Sequence, residues 1–339
     1  MKILVTGAQG FIAGYLIEDL LNHGWEVTGL DNLSKYGEIS KSYDHHPHYR
    51  FVKGDAKDTA LLKELLVGHE HFVAAAAMIG GIAYFHEFAY DLIAENERIC
   101  ASSYDAAIWA YKNARLKKIT VISSSMVFEN ATQFPTPEGH QAQCPPPSST
   151  YGFQKLSSEY FAKGAWEQYQ LPYTIVRPFN CIGIGEKKAL KGKDIKSGDI
   201  KLALSHVITD LVQKTIKDQA PLHILGNGQQ IRHYTYGGDL AQGIRLAIEK
   251  DEALCNDFNL STDVATNVLE LANLIWTRIN PHRPFEYICD EPFTYDVQKR
   301  MPDTHKAKKI LGFQAQTSLE EALDEIIPWI KKQVETGGI

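Results

Sequence analysis

Nearly continuous apolar runs alternate with longer amphipathic stretches along the first half of the chain. The apolar runs, which are typical of strands buried on both faces, lie at 2–6, 25–31, 49–55, 71–77, 117–125 and 173–180. The amphipathic stretches, which place apolar residues at helical spacing, lie at 10–24, 57–68, 91–113 and 151–169. Strands and helices that alternate at these lengths predict βαβ units and a parallel sheet.

The composition changes after Asn180, which predicts a second lobe. Residues 185–199 are polar and rich in lysine and glycine, and strands and helices mix less regularly from there to the end. A chain of 339 residues is also long for one hydrophobic core. We therefore predict an α/β fold in which 1–180 forms the first domain. Residues 181–339 are predicted to form a smaller mixed lobe that binds substrate, with segments that return to the first domain.

Composition and charge exclude several classes of protein. Hydrophobic residues make up 44% of the chain and charged residues 22%, as in an ordinary globular enzyme. The net charge of −6 argues against a nucleic-acid partner. Five cysteines without a CxxC pair indicate a reduced protein, and neither a signal peptide nor an apolar run of ~20 residues is visible. The sequence thus predicts a cytoplasmic enzyme that has no membrane partner.

The stretch TGAQGFIAG (6–14) joins the first strand to the first helix through a glycine turn. Gly7 permits the sharp turn, and Gly10 lets the backbone approach a pyrophosphate that the N–H groups of the helix N-terminus bind. Asp31 ends the second strand about 20 residues later, where a carboxylate hydrogen-bonds the ribose hydroxyls of NAD and repels the 2′-phosphate of NADP. These residues predict a Rossmann-type doubly wound sheet that binds NAD.

Tyr151 and Lys155 lie four positions apart in a predicted helix and therefore share one face. A lysine ammonium near the phenol, helped by the positive charge of a nicotinamide, lowers the tyrosine pKa from ~10 toward neutrality. Such a tyrosine is a general base for a sugar hydroxyl while hydride leaves the carbon. The serines at 123–125 follow the fifth strand, where open α/β sheets place their ligands, and a hydroxyl there can bind the substrate oxygen.

Several motifs together resemble the extended short-chain dehydrogenases/reductases, and most of all the nucleotide-sugar epimerases and dehydratases. They occur in the order and spacing of that family over essentially the whole chain: TGAQGFIAG, DNLS, GDAKD, ISSSMVF, YGFQK, RPFN and ILGFQAQTSLEEAL. The resemblance implies that Tyr151 is the base and Lys155 its partner. Ser124 is implied as the catalytic serine, because Phe128 takes the aromatic place of the family's SSxxVY pattern. The residues implied to contact NAD are Gly7, Gln9, Gly10, Phe11, Ile12, Asp31, Asn32, Asp55, Ala56, Ala75 and Lys155.

The resemblance also implies a nucleotide-diphosphate sugar as the substrate. Asn180 matches the asparagine that meets the nucleotide sugar. Arg232 matches the arginine that holds the diphosphate, a role suited to bidentate guanidinium contacts, and Arg300 matches a further arginine on the nucleotide side. The residues implied to contact the substrate are Gly81, Asn96, Ser125, Met126, Asn180, Lys201, Arg232 and Arg300.

A homodimer is implied by the same resemblance. The predicted helices at 91–113 and 151–169 would pair with those of a second copy in a four-helix bundle. Trp109 and Phe161 then lie either on that surface or in the core of one chain, and the sequence leaves both positions open.

Departures from the family pattern bear on the type of reaction. Dehydratases of the family carry an acidic pair after the catalytic serine, where this chain has Ser125 and Met126, and the decarboxylases carry a glutamate at position 126. Residues 76–85 resemble a stretch of the GDP-mannose 3,5-epimerases. The catalytic cysteine of those enzymes is replaced by Met126, however, and their lysine falls near Lys201.

The simplest remaining chemistry uses only the predicted catalytic residues and NAD. The sugar is oxidised at C4, the 4-keto sugar turns over in the pocket, and hydride returns to its other face. We therefore predict an NAD-dependent nucleotide-sugar 4-epimerase, which is an isomerase. The alternatives are a 3,5-epimerase, a dehydratase, a decarboxylase or a reductase of the same fold, or a non-catalytic scaffold that binds NAD.

Other polar residues keep more than one interpretation. Asp55 either meets the adenine edge of the cofactor or caps the helix that follows it. His206 either belongs to the core or touches the substrate. The lysines at 187–196 form either a solvated loop or a cover over the substrate phosphates. The histidines at 44–48 lack a spaced carboxylate or cysteine partner, so no metal site is predicted.

Overall fold

The computed structural model describes residues 1–80, 87–186, 195–197, 200–202, 206–292 and 297–337, with only the backbone of 195–197 and 200–202. The strands are β1 (Lys2–Thr6), β2 (Glu26–Asp31), β3 (Tyr49–Lys53), β4 (His71–Ala74), β5 (Lys118–Ile122), β6 (Tyr173–Pro178), β7 (Cys181–Ile182), β8 (Ile195–Ser197), β9 (Ile200–Leu202), β10 (Leu222–Leu225), β11 (Ile231–Arg232), β12 (Thr235–Tyr236), β13 (Asn256–Leu260), β14 (Thr266–Asn267) and β15 (Tyr287–Asp290). The helices are α1 (Phe11–Asn22), α2 (Thr59–Leu66), α3 (Ala89–Asn113), α4 (Thr150–Tyr169), α5 (Val207–Ile216), α6 (Gly237–Glu249), α7 (Val268–Ile279) and α8 (Leu319–Glu335).

A parallel sheet of seven described strands has the order β13-β6-β5-β4-β1-β2-β3. Its central strands are largely apolar because helices cover both faces. Ile3 and Val5 of β1 pack with α1 and α6 on one face, whereas Leu4 points to α2, α3 and α4 on the other. The predicted doubly wound parallel sheet is therefore confirmed.

The second half of the chain contributes to this sheet as well as to a smaller part. β13 pairs in parallel with β6, and α6 packs on α1, so two late elements complete the first sheet. The remaining helices α5, α7 and α8 enclose a separate core around the parallel pair β10–β15. The boundary near residue 180 stays a prediction.

The end of β5 differs from the sequence-based expectation in a way that shapes the cleft. The strand predicted over 117–125 ends at Ile122, because the chain turns at the three serines and Ser125–Phe128 forms a 3₁₀ turn. Ser124 is the N-cap of that turn, and its Oγ accepts a hydrogen bond from the Met126 N–H at 3.2 Å. The turn therefore fixes the backbone beside the serine that was predicted to be catalytic.

The helices of the described ranges are too short or too polar to span a bilayer.

Candidate active site

A cleft of about 1520 Å³ runs along the carboxyl ends of the parallel strands and continues into the C-terminal half. Open α/β sheets bind their ligands at this edge. The predicted site residues that line the cleft are Gly7, Gln9, Gly10, Phe11, Ile12, Asp31, Asn32, Asp55, Ala56, Ala75, Ser124, Ser125, Met126, Tyr151, Lys155, Asn180, Arg232 and Arg300. Most of the residues picked from separate motifs therefore meet on one surface.

The glycine turn between β1 and α1 forms one wall of the cleft. Gly7 has a φ of +71°, and a Cβ there would stand 2.9 Å from the Ala76 Cα. A Cβ on Gly10 would stand 2.9 Å from the Gly7 carbonyl oxygen, so the turn itself already requires glycine at position 10. No side chain caps α1, and its first residues, from Phe11 on, line the cleft. The free N–H groups of this first turn suit a pyrophosphate.

We expect Gly7→Ala to be far more damaging than Gly24→Ala. Both glycines have positive φ, +71° and +76°, but a Cβ on Gly24 would meet nothing within 4 Å. Gly24→Ala should therefore lower the free energy of unfolding by only about 1–2 kcal/mol, because the alanine is strained in the left-handed conformation. Gly7→Ala should lose more than that and should also lose bound NAD. Urea unfolding and the NAD content of the purified proteins test this, and equal losses in both variants would contradict it.

Asp31 is held in place at the end of β2. Its Oδ2 accepts a hydrogen bond from the Gln9 N–H at 3.0 Å, and its Oδ1 accepts one from the Leu33 N–H at 2.7 Å. The Gln9 Oε1 is buried and has no hydrogen-bond partner among the described residues. The fixed carboxylate of Asp31 and the amide oxygen of Gln9 can both accept hydrogen bonds from ribose or amide donors. Together with the glycine turn, they fit NAD.

The alternative interpretation of Asp55 as a helix cap is wrong. Asp58 caps α2, since its carboxylate accepts hydrogen bonds from the N–H groups of Ala60 and Leu61. Asp55 instead accepts from the Lys57 N–H at 2.9 Å and from the Asn32 side chain at 3.2 Å. It lines the cleft, and its contact with adenine stays a prediction.

The three predicted catalytic residues come together. Tyr151 lies in the first turn of α4, is 6% exposed, and is hydrogen-bonded to Ser124. One turn later, the Lys155 Nζ donates a hydrogen bond to the Ile122 carbonyl oxygen at 2.9 Å and lies 6.0 Å from the centroid of the Tyr151 ring. The end of β5 therefore holds both the serine and the lysine beside the tyrosine.

The lowered pKa predicted for Tyr151 is not found in the protein alone. Burial raises the pKa of Tyr151, although the Ser124 hydrogen bond and the positive charge of Arg300 lower it in part. Burial also lowers the pKa of Lys155 to about 8. Desolvation of the phenol thus outweighs both the Ser124 hydrogen bond and the charge of Arg300, a balance that four-residue spacing cannot reveal.

A buried ionic network lies beneath the catalytic residues, and sequence analysis missed it. Glu159 accepts hydrogen bonds from the Ser123 Oγ at 2.6 Å and from two nitrogens of Arg177, each at 2.7 Å. Arg177 also lies 2.7 Å from a carboxylate oxygen of Asp257. The side chains of Glu159 and Arg177 are fully buried, so α4, β5, β6 and β13 are tied together. The arginine within the apolar run YTIVRPFN was the available signal.

The predicted substrate residues divide into those that line the cleft and those that do not. Asn180, Ser125, Met126 and the two arginines line it. Asn96 does not: it is 2% exposed, and its amide pairs with both the N–H and the carbonyl of Met78, at 2.7 and 2.9 Å. The side chain holds the chain after β4, and its predicted contact with substrate stays a prediction. Gly81 and the side chain of Lys201 lie outside the described residues.

His206 lines the cleft and forms an ion pair with Glu186. Its side chain is 40% exposed, which favours a place at the cleft over a place in the core. Its contact with substrate stays a prediction. Among the described residues, no cluster of histidine, cysteine, aspartate and glutamate could hold a metal ion.

A glycine turn on a doubly wound sheet, with a tyrosine and a lysine of α4 beside a serine at the end of β5, defines the class of extended short-chain dehydrogenases/reductases. Residues 3–261 match the sequence model of the NAD dependent epimerase/dehydratase family, and the chain belongs to that family. The predicted family and the predicted NAD dependence are thereby confirmed.

The similarity to relatives and to solved structures extends over nearly the whole chain. A putative UDP-glucose 4-epimerase of Methanocaldococcus jannaschii is 28% identical over 342 residues, which cover 98% of this chain and 100% of that protein. The crystal structure of the UDP-glucose 4-epimerase of Thermotoga maritima with UDP-glucose is similar with a TM-score of 0.80 and 27% identity, covering 98% of this chain and 100% of that one. The UDP-glucuronic acid 4-epimerase of Bacillus cereus, crystallised with UDP-glucuronic acid and NAD, has the same fold at 23% identity, with a TM-score of 0.80 and coverage of 98% and 99%.

Proposed function

We propose that the chain is an NAD-dependent nucleotide-sugar 4-epimerase that acts on UDP-sugars. The observation that carries this proposal is the hydrogen-bonded pair of Tyr151 and Ser124 in the cleft, with Lys155 one turn away and the glycine turn beside them. Two relatives that are named UDP-glucose 4-epimerases support C4 as the reacting carbon and UDP as the nucleotide of the substrate.

The proposed reaction follows from the placement of these groups. Tyr151, in the ionised form that the positive charge of bound NAD would favour, accepts the proton of the sugar 4-hydroxyl, while Ser124 hydrogen-bonds the same oxygen. NAD, held by the glycine turn and Asp31, supplies when bound a positive charge near the phenol and the reversible uptake of hydride from C4. Lys155, fixed by the Ile122 carbonyl, adds positive charge on the same side. The keto sugar then turns its other face toward the cofactor. Once hydride has returned to C4, Tyr151 gives the proton back to the oxygen.

A dehydratase reaction is less well supported, because elimination requires a further acid and base near C5 and C6. Ser125 and Met126 stand where that pair would be, and Met126 is buried against Leu92 and Tyr151. The carboxylate nearby in the cleft, Glu129, accepts hydrogen bonds from the N–H and the Oγ of Ser149, both at 2.9 Å. The Glu129 carboxylate therefore holds the N-cap residue of α4.

The proposal is tested by incubating the holoenzyme with UDP-, GDP- and CDP-sugars in D₂O and following the products by NMR. We expect the C4 epimer of a UDP-sugar, without deuterium in the sugar ring, because hydride moves between C4 and the cofactor without contact with solvent. Deuterium at C3 or C5 would instead identify a 3,5-epimerase. Net accumulation of reduced or oxidised cofactor would identify a reductase.

We further propose a homodimer formed through α3 and α4, which pack on each other along one face of the sheet. Trp109 and Phe161 are partly buried within the core of their own chain, whereas Phe153 and Tyr160 of α4 are exposed. These two exposed aromatic side chains are the better candidates for the contact with a second copy. Sedimentation equilibrium would contradict this proposal if it gave the mass of one chain.

The proposed location is the cytoplasm. All five cysteines are free, as expected for a chain that is kept in a reducing compartment. Fractionation of cells that express the protein tests this proposal.

A further inference from the structure

Tyr234, which lies between β11 and β12, has a hydroxyl that no group in the described part of the chain binds. The residue is 4% exposed and lines the cleft. Its Oη is buried and has no hydrogen-bond partner among the described residues. By contrast, the buried Tyr104 Oη donates to the Ser158 carbonyl at 3.1 Å. A buried hydroxyl without a protein partner needs an explanation, and one that borders a cleft is available to a ligand.

The surroundings of this hydroxyl define the kind of atom that it can bind. The positive charges of Arg232 and Arg300 both act on the Tyr234 phenol, but burial outweighs them and raises its pKa. The phenol therefore stays protonated and is a hydrogen-bond donor. A donor in the field of two guanidinium groups favours an anionic acceptor and disfavours a cation.

The position of Arg300 connects Tyr234 to the reacting end of the cleft. Arg300, Tyr151 and Tyr234 all line the cleft, and the charge of Arg300 lowers the pKa of both phenols in part. An anion held by Arg232, Arg300 and Tyr234 would therefore lie in the same cleft as the catalytic tyrosine. In a nucleotide sugar, the anionic group next to the sugar is the diphosphate.

We infer that the Tyr234 Oη donates a hydrogen bond to a phosphate oxygen of the nucleotide-sugar diphosphate, between the two arginines, an inference that rests on the proposed function. Tyr234 is thus a binding residue for the substrate. The contact is present before, during and after the hydride step, so it affects KM and leaves kcat nearly unchanged.

The test compares UDP with uridine as probes for the NAD-loaded protein by calorimetric titration. We expect Tyr234→Phe to raise the Kd for UDP by about tenfold to a hundredfold, because a hydrogen bond to a charged group is lost. The Kd for uridine, which has no phosphate, should stay the same. Tyr43→Phe is the matched control, since the Tyr43 Oη is also buried without a partner but the residue does not line the cleft. This control should bind UDP as the wild type does.

Each outcome separates the inference from the proposed function. If Tyr234→Phe binds UDP as tightly as the wild type, the inference is wrong and the proposed function stands. If the affinities of the variant for UDP and for uridine fall by the same factor, the substitution changes the shape of the site and does not remove a contact with phosphate. The inference is then also wrong. If the wild type binds neither UDP, GDP nor CDP, both the inference and the proposed function are wrong.

Discussion

Tyr151→Phe is expected to lower kcat by about 10²–10⁴-fold, because the ring remains but the atom that accepts the proton of the sugar hydroxyl is gone. The stability should change little, since the Tyr151 hydroxyl contacts Ser124 at the edge of the cleft. Epimerisation of a UDP-sugar, followed by NMR, gives kcat, and the NAD released on denaturation gives the cofactor content. We expect the variant to keep the cofactor content of the wild type.

Tyr43→Phe serves as the control for this prediction as well, because it removes a buried hydroxyl outside the cleft. It should keep wild-type kcat. If Tyr151→Phe retained more than a tenth of the wild-type kcat, another group would have to be the base. If the variant lost bound NAD, the tyrosine would be needed to bind the cofactor, and the loss of activity would not identify it as the base.

Arg177→Met is expected to lower the free energy of unfolding by about 3–5 kcal/mol, because it leaves Glu159 charged and buried without its partner. Both side chains of this pair are fully buried. The double variant Glu159→Gln/Arg177→Met should be more stable than Arg177→Met, because it removes the uncompensated charge together with its partner. Urea denaturation measures both.

A surface pair provides the comparison for the buried one. The Lys2 Nζ lies 2.8 Å from a carboxylate oxygen of Glu26, but the two side chains are 52% and 49% exposed. Lys2→Met should therefore change the free energy of unfolding by less than about 1 kcal/mol. If Arg177→Met were no more destabilising than Lys2→Met, the buried network would not contribute to stability as its geometry suggests.

The central strands of the first half were predictable because they are buried on both faces. In β1 and β5 a nearly continuous apolar run identifies a central parallel strand, and only the ends needed correction. In the second half, β7, β11, β12 and β14 have two residues each, which is too short for any period. The assignment of β13 to the first sheet depends on a contact with β6, which is remote in sequence.

The candidate site followed the same rule. Gly7, Asp31, Tyr151 and Lys155 were predictable because each belongs to a motif within one βαβ unit or one helical turn. The pairing of Asn96 with Met78 was not predictable, because Met78 lies on a different segment. The raised pKa of Tyr151 was missed for a related reason, since it depends on burial by distant parts of the chain.

The contribution of β13 has a consequence for how the chain is made. β6 ends at Pro178, but its neighbour β13 begins only at Asn256, so the ribosome releases one side of the sheet well before the other. At ordinary rates of translation, this interval lasts on the order of several seconds. During that time the nascent chain presents an unpaired backbone edge along β6, and Arg177 lacks its contact with Asp257. We therefore expect a translational pause before Leu260 to increase aggregation of the nascent chain.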